Sequence, residues 1–188
     1  MTVTRWTRLG ILILAGTLLG PGVAGSESTH DEYDVKVAFI YNFAMLTRWP
    51  DSSFSDPTAP LTLAILGPRD FAANAEGFFA GRRVGRHPVE VFRISDPSEV
   101  SRYHVLFVSA AERNRNQKIL EHARGARVLT IGETEGFASR GGSINFYRDG
   151  KKIRFEVNRE SVRAAGLQLS SRLLRLARLV SSHEDYGD

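Results

Sequence analysis

The chain has 188 residues, enough for one domain or for one domain with a short extension. Its residues are 42% apolar and 24% charged, which is ordinary for a globular protein and argues against a mostly disordered chain. The sequence contains no cysteine, which excludes disulfides, cysteine-ligated zinc, iron–sulfur clusters and cysteine nucleophiles.

Residues 1–25 have the three-part pattern of a secretory signal peptide. Arg5 and Arg8 precede an uncharged apolar run, and small residues follow it at 23–25. A membrane anchor is the alternative, but the run has about 11 residues and a spanning helix needs roughly 20. We therefore expect export to the periplasm, cleavage of the signal peptide, and a mature protein (residues 26–188) that does not span the membrane.

The net charge of the mature chain is small. Loss of residues 1–25 would remove two arginines and no acidic residue, which leaves 23 basic and 21 acidic groups. A sequence pI near 9.7 is typical of nucleic-acid-binding proteins, but here it reflects a slight excess of arginine in an exported chain. No nucleic-acid partner is therefore expected.

The first predicted element of the mature chain is a helix over residues 31–48, which Trp49-Pro50 ends. Its residues are apolar on all sides, so we expect it to be buried on several sides. Two interpretations of its aromatic and methionine residues remain open. They form ordinary core, or they form an exposed patch that contacts a partner or a second copy of the chain. The residues concerned are Tyr41, Phe43, Met45 and Trp49.

The middle of the chain alternates predicted strands and helices. Near-continuous apolar runs predict buried parallel strands at 61–67, 103–108 and 126–132, and an alternating run predicts another at 88–94. Helical segments are predicted between them, at 70–79, after 96–97 and over 110–124. This order predicts an α/β fold, a three-layer Rossmann-like sandwich with helices on both faces of a mostly parallel sheet.

The end of the chain has a different pattern. Asp149-Gly150 lies between two alternating runs, which predicts an antiparallel hairpin at one edge of the sheet. A final helix is predicted over 170–180, and its spacing would place Arg172, Arg175 and Arg178 on one face. That face is either simply solvated or a contact for an acidic partner. We expect residues 26–188 to form one domain, with its core at about 32–180.

A glycine-rich stretch follows the fourth predicted strand, at 132–146. Ligands of open α/β sheets bind at the carboxyl edge of the strands, so this stretch is a candidate ligand edge formed by Glu133, Phe137 and Asn145. The alternative is that the glycines only permit tight turns.

No catalytic or metal-binding motif stands out. The five histidines have no metal-ligand spacing, and the turn at Gly67-Pro68 lacks the glycine patterns of phosphate-binding loops. No G-x-S-x-G is present, and Ser109 is explained as a helix cap. We therefore expect a protein without cofactor or metal that is not an enzyme.

Taken together, four landmarks in this order resemble the YfiR family, also called the DUF4154 family. They lie at 32–43 with Trp49-Pro50, at 63–67, at 128–146, and at 153–158 with 165–177. The resemblance implies a periplasmic α/β protein without catalytic activity. Its best-known member is dimeric, uses disulfides, and represses an inner-membrane diguanylate cyclase by binding its periplasmic sensor region. Release of that repression raises cyclic-di-GMP and promotes biofilm.

From the residues and this resemblance, we expect a periplasmic regulator that represses a membrane signalling protein. The expected partner is the sensor region of a diguanylate cyclase or a kinase, with a homodimer as a further expectation. Redox control through disulfides does not transfer, because this chain has no cysteine. The rival hypothesis is a periplasmic module that binds a small solute at the glycine-rich edge.

Overall fold

A computed structural model describes residues 26–182, and the predicted signal peptide lies outside them. The described helices are α1 (Ser26–Met45), α2 (Arg69–Phe79), α3 (Asn116–Ala123), α4 (Arg159–Ala164) and α5 (Ser171–Leu174). The described strands are β1 (Thr47–Arg48), β2 (Leu61–Leu66), β3 (Arg83–Val84), β4 (His87–Arg93), β5 (Val105–Val108), β6 (Leu129–Gly132), β7 (Ile144–Asp149), β8 (Lys152–Asn158), β9 (Gln168–Leu169) and β10 (Arg178–Val180). Three short 3₁₀ helices occur at Asp51–Ser53, Pro97–Arg102 and Ala110–Arg115.

The sheet confirms the predicted α/β sandwich. Eight of the described strands form one sheet in the order β10-β8-β7-β6-β5-β2-β4-β3, and β1 pairs with β9 separately. Its neighbours are parallel except at β7–β8 and β3–β4. The central strands β2, β5 and β6 are continuous apolar runs because both of their faces are buried.

The predicted hairpin is confirmed as β7–β8, with Phe146 opposite Phe155. Gly150 in its turn has φ +60°, a conformation that glycine adopts without steric cost. The hairpin lies near one edge of the sheet, and β10 extends the sheet beyond it in parallel to β8. This last pairing brings residues from the end of the chain beside the hairpin.

Two apolar cores lie on opposite faces of the sheet. The larger packs α1 and α2 against the sheet and includes Phe43, Phe71 and Phe107. The smaller packs α3 against the other face and includes Ile119 and Phe137. The three layers follow from these two cores.

The first helix is less deeply enclosed than its composition predicts. Val37, Ile40, Phe43 and Ala44 form one buried stripe at the spacing of a helix face. Val35 and Met45 are 43% and 46% exposed. The helix is therefore buried against the sheet and against α2, as expected of burial on several sides, but its outer side stays in solvent.

The predicted final helix over 170–180 is also wrong. Only α5 is helical there, and residues 178–180 form β10. Arg178 lies opposite Glu156 of β8, so it does not share a helix face with Arg172 and Arg175. The free edge of β8 offered backbone hydrogen bonds that a helix would have left unused.

Candidate functional site

A polar cleft of about 860 Å³ lies where β7, β8 and β10 meet the loop that follows β6. Its principal side chains are Glu133, Glu135, Asn145, Tyr147, Glu156 and Arg178. This is the region where the sequence predicts a ligand edge. A smaller recess of about 240 Å³ adjoins it and shares Glu133 and Tyr147.

The floor of the cleft is a row of side chains on three neighbouring strands. Asn145 of β7 lies opposite Glu156 of β8, which lies opposite Arg178 of β10. Asn145 Nδ2 donates to Glu156 Oε1 at 3.2 Å, and Arg178 Nε donates to Glu156 Oε2 at 3.1 Å. A second bond to Oε2 comes from Arg178 Nη2. These charge-assisted hydrogen bonds compensate a carboxylate that is only 5% exposed.

The cation of this row is held by an aromatic ring as well. The Arg178 guanidinium lies 4.0 Å from the centroid of the Tyr147 ring, which gives a cation–π contact. The hydrogen bond to Glu156 raises the pKa of Arg178. Arg178 is therefore fixed in place as a wall of the cleft.

One polar atom of the floor has no partner. Asn145 is 1% exposed, and its Oδ1 forms no hydrogen bond among the described residues. A carboxylate only accepts hydrogen bonds, so the amide nitrogen must face Glu156 and the oxygen must face away from it. A buried unpaired acceptor is costly in an isolated protein, and a ligand could satisfy it.

A second charged network joins the cleft to the first helix. Lys36 of α1, only 8% exposed, donates to Glu32 and, at 2.5 Å, to Glu133 Oε2. The other oxygen of Glu133 accepts from the backbone N–H of Ala110 at 2.7 Å. Arg148 pairs with the second oxygen of Glu32. This network attaches α1 to the ends of β5 and β6.

The Lys36 network shifts two pKa values. Burial alone would lower the pKa of Lys36, but the charges and hydrogen bonds of Glu133 and Glu32 outweigh it and raise that pKa. Burial alone would raise the pKa of Glu32, but the contacts with Lys36 and Arg148 lower it. Both shifts favour the charged forms of Lys36 and Glu32 near neutral pH.

The three residues of the predicted ligand edge have different positions. Glu133 and Asn145 both line the cleft. Phe137 is fully buried in the smaller core and is not part of the lining. Its ring packs against Gly132 and Gly142, so it supports the loop from beneath.

The residues of the predicted partner or dimer surface are likewise divided. Phe43 and Trp49 are buried in the larger core, so they are not available to a partner. Tyr41 is half-buried, and its hydroxyl donates to the backbone oxygen of Arg83 at 3.0 Å. Met45 is exposed, as are Arg172, Arg175 and Arg178.

The end of α1 lies beside the start of α5. Thr47 of β1 pairs with Leu169 of β9, and the N–H of Ser170 donates to the oxygen of Leu46 at 2.8 Å. A groove of about 410 Å³ lies along this junction, with Met45 on its wall. The two surfaces that the sequence suggested separately, the end of α1 and the basic segment at 172–175, are thus neighbours.

Sequence reasoning missed Lys36, Arg148 and Glu156. A signal for two of them was present. Lys36 is a single cation in an apolar helical run, and Glu156 is a charged residue between Phe155 and Val157 in a buried strand. Buried charges of this kind require a partner, but the sequence does not identify it.

Within residues 26–182, no helix is long and apolar enough to cross a membrane. Among the same residues, no group of three or more His, Asp or Glu side chains is placed to hold a metal ion.

Comparison with known proteins gives a family and a fold. The DUF4154 family model, described as YfiR/HmsC-like, matches residues 33–178. A crystal structure of a conserved domain protein from Vibrio cholerae is similar, with a TM-score of 0.55 and 9% identity over 80% of this chain. The match spans 60% of the length of that protein.

Two further solved structures have lower TM-scores. One is an ABC domain from Streptococcus pneumonia in complex with L-Trp, with a TM-score of 0.47, 10% identity, and coverage of 75% of this chain and 60% of that one. The other is a ligand-free, open substrate binding protein with adhesive properties from Clostridium difficile. Its TM-score is 0.43, with 10% identity and coverage of 67% of this chain and 55% of that one.

Proposed function

The chain belongs to the YfiR/HmsC-like family, and from this we propose that it is a non-enzymatic periplasmic protein that binds and represses a membrane signalling protein. The family is periplasmic, and its role is regulatory rather than catalytic. Our candidate partner is the periplasmic sensor region of a diguanylate cyclase, so release would raise cyclic-di-GMP and promote biofilm. We further propose that residues 1–25 are a cleaved signal peptide, that residues 26–188 form one domain, and that the mature protein dimerises.

The groove at the end of α1 is the surface through which we propose that the protein binds its partner. Met45 is 46% exposed beside it, and methionine is enriched where proteins bind one another. Arg48 lines the same groove, and Arg172 of α5, two residues after the lining residue Ser170, is exposed to solvent. An exposed apolar side chain with two arginines nearby suits a partner surface that is apolar at its centre and acidic at its rim.

Repression would operate by differential binding. The regulator would bind the inactive conformation of its partner more tightly than the active one, which shifts the population toward the inactive state. A signal that weakens this contact would then release the partner. The proposal requires only two conformations of the partner and no chemistry from this chain.

The test is a pull-down from detergent-solubilised membranes of the host, with captured proteins identified by mass spectrometry. We expect a diguanylate cyclase to be captured by the unmodified protein and lost with Met45→Asp. Val35→Asp is the matched control, because Val35 is 43% exposed on the same helix about 15 Å from Met45. Both variants must keep the circular dichroism spectrum of the parent. Capture of no membrane protein by the unmodified protein would contradict the proposed function. Equal capture by Met45→Asp and Val35→Asp would contradict the proposed surface.

A second candidate function is binding of a small solute in the polar cleft. The unpartnered Oδ1 of Asn145 supports it, since Asn145 lines a cleft large enough for a small molecule. This candidate does not compete with the regulator for the same surface. The groove beside Met45 and the cleft beside Asn145 share no lining residue.

A further inference from the structure

The polar cleft has a buried end and an exposed rim, and their chemistry differs. At the buried end lie Asn145, 1% exposed, and Glu156, 5% exposed. Arg148 and Arg178 are exposed along the wall. The side-chain oxygens at this end belong to Asn145 and Glu156, and only the Asn145 oxygen has no donor among the described residues.

The cations of the wall already have anionic partners. Arg178 donates twice to Glu156, and Arg148 pairs with Glu32. Lys36 is likewise held between Glu32 and Glu133. The acceptor Asn145 Oδ1 has no partner among the described residues, and in the same part of the chain the Glu135 carboxylate of the rim forms no ion pair. Arg140 approaches Glu135, but it donates to the backbone oxygen and not to the carboxylate.

We propose that the cleft binds a small molecule through a primary ammonium group, which donates to Asn145 Oδ1 beside the Glu156 carboxylate. An ammonium group carries three N–H donors and no acceptor, so it matches a floor of oxygens. An ionised carboxylate or phosphate end has no N–H to donate to Asn145 Oδ1 and would leave that acceptor unpaired. The proposal names the ligand class for the solute-binding candidate and rests on that candidate, not on the regulator.

The size of the cleft is compatible with such a ligand. Pockets for small molecules span roughly 300–1,000 Å³, and this cleft measures about 860 Å³. The ammonium end would occupy the floor. The rest of the molecule would extend past the Tyr147 ring toward Glu135 and Ser139 at the rim.

The experiment titrates the purified protein with three small probes and follows its backbone and side-chain amide NMR signals. Ethanolamine offers a charged N–H donor, choline keeps the charge without N–H donors, and ethylene glycol has a similar shape without charge. We expect ethanolamine alone to shift the side-chain amide of Asn145 and the backbone amide of Gly132, its neighbour across β6 and β7. This series uses the unmodified protein, so it does not depend on a variant that folds.

Two variants locate the binding group. Asn145→Ala should weaken ethanolamine binding about tenfold or more, because it removes the buried acceptor. Asn116→Ala is the matched control, because Asn116 is 2% exposed with both side-chain polar atoms unpartnered, yet it lies on α3 outside the cleft. The control should bind ethanolamine as the parent does. Equal weakening in both variants would contradict a direct role for Asn145.

The outcomes distinguish recognition of an ammonium group from the more general candidate function, which is binding of a small solute in the cleft. Equal binding of all three probes in the cleft would support solute binding and overturn the ammonium group as the recognised feature. If no probe binds at concentrations up to roughly 10 mM, ten times a Kd of 1 mM, both solute binding in the cleft and recognition of the ammonium group are overturned. Neither result bears on the partner surface at Met45.

Discussion

Lys36 Nζ lies 2.5 Å from Glu133 Oε2, and this contact joins the first helix to a loop that follows it by 97 residues. The cation is 8% exposed and is shared with Glu32. Charges buried to this extent are stable only in pairs, since an unpaired one loses its hydration without compensation. The contact therefore couples the position of α1 to the wall of the polar cleft.

Replacement of Lys36 by methionine should strongly destabilise the protein. It would leave Glu32 and Glu133 without their shared cation in a poorly hydrated site, at a cost of about 3 kcal/mol in the free energy of unfolding. Urea denaturation measures this change. Lys118→Met, at an exposed position of α3, is the control and should change stability by less than about 0.5 kcal/mol. A small effect at Lys36 would show that the buried pair contributes little.

Stability should fall as the pH decreases below about 6.5, because His104 must stay neutral in the fold. Its Nδ1 accepts from the N–H of Thr62 at 3.1 Å, and its Nε2 donates to Ser53 O at 2.9 Å. Burial, and to a lesser extent the charge of His87, lowers the pKa of His104 below its ordinary 6.5. The unfolded chain then binds more protons between that value and the folded pKa, so stability is lost through this window and levels off below it.

The measurement is urea denaturation at a series of pH values across this window. His104→Gln should have a flatter dependence than the parent, because the titrating group is gone. His122→Gln, on α3 and outside this contact, should keep the slope of the parent. An equal slope in the parent and in His104→Gln would assign the pH dependence to another group.

The sequence predicted the central strands of the sheet correctly, but it did not predict the edge strand β10. Strands such as β2 and β5 are continuous apolar runs between turn residues, and local composition is enough to predict them. At the end of the chain, local pattern led to the wrong element, because the spacing of Leu173, Leu174 and Ala177 also fits a helix. Whether residues 178–180 join a sheet depends on the free edge of β8, which is a tertiary property.

The candidate site was predicted only in part, because some of its residues meet through tertiary pairing that local sequence does not show. Glu133 and Asn145 were found because they flank a glycine-rich turn at the end of a strand. Glu156 and Arg178 meet only through the register of β8 and β10, which local patterns do not reveal. The sequence also could not decide which apolar residues of α1 face inward. Phe43 and Met45, two positions apart, have opposite environments.

Phe43→Ala should cost about 3–5 kcal/mol in the free energy of unfolding, the range for a fully buried phenylalanine. The ring is inaccessible to solvent and lies 4.8 Å from the ring of Phe155, centroid to centroid, at an interplanar angle of 61°. Met45→Ala is the control and should cost less than about 0.5 kcal/mol. Thermal and urea denaturation of both variants measure the difference. Comparable losses in the two would place Met45 in the core as well.

Gly132→Ala should destabilise the loop of the cleft, because the added methyl group would collide with the ring of Phe137. That ring is fully buried beneath the loop, so it has little room to move, and overpacking of this kind costs about 1–3 kcal/mol. Gly77→Ala is the opposite case. Gly77 lies in α2, and outside its neighbouring residues and the backbone of its own helix no atom lies within 4 Å of an added methyl group. Alanine should therefore stabilise the helix by about 0.5–1 kcal/mol.

The two glycine variants separate steric from conformational effects, because neither glycine has a positive φ. Urea denaturation gives the change in stability for each. Hydrogen exchange at Glu133 and Asn145 then shows whether the loss in Gly132→Ala is local to the cleft. Faster exchange there with unchanged exchange in β2 would place the damage in the loop. A neutral Gly132→Ala would mean that the ring of Phe137 can shift, and that it does not fix the position of Glu133.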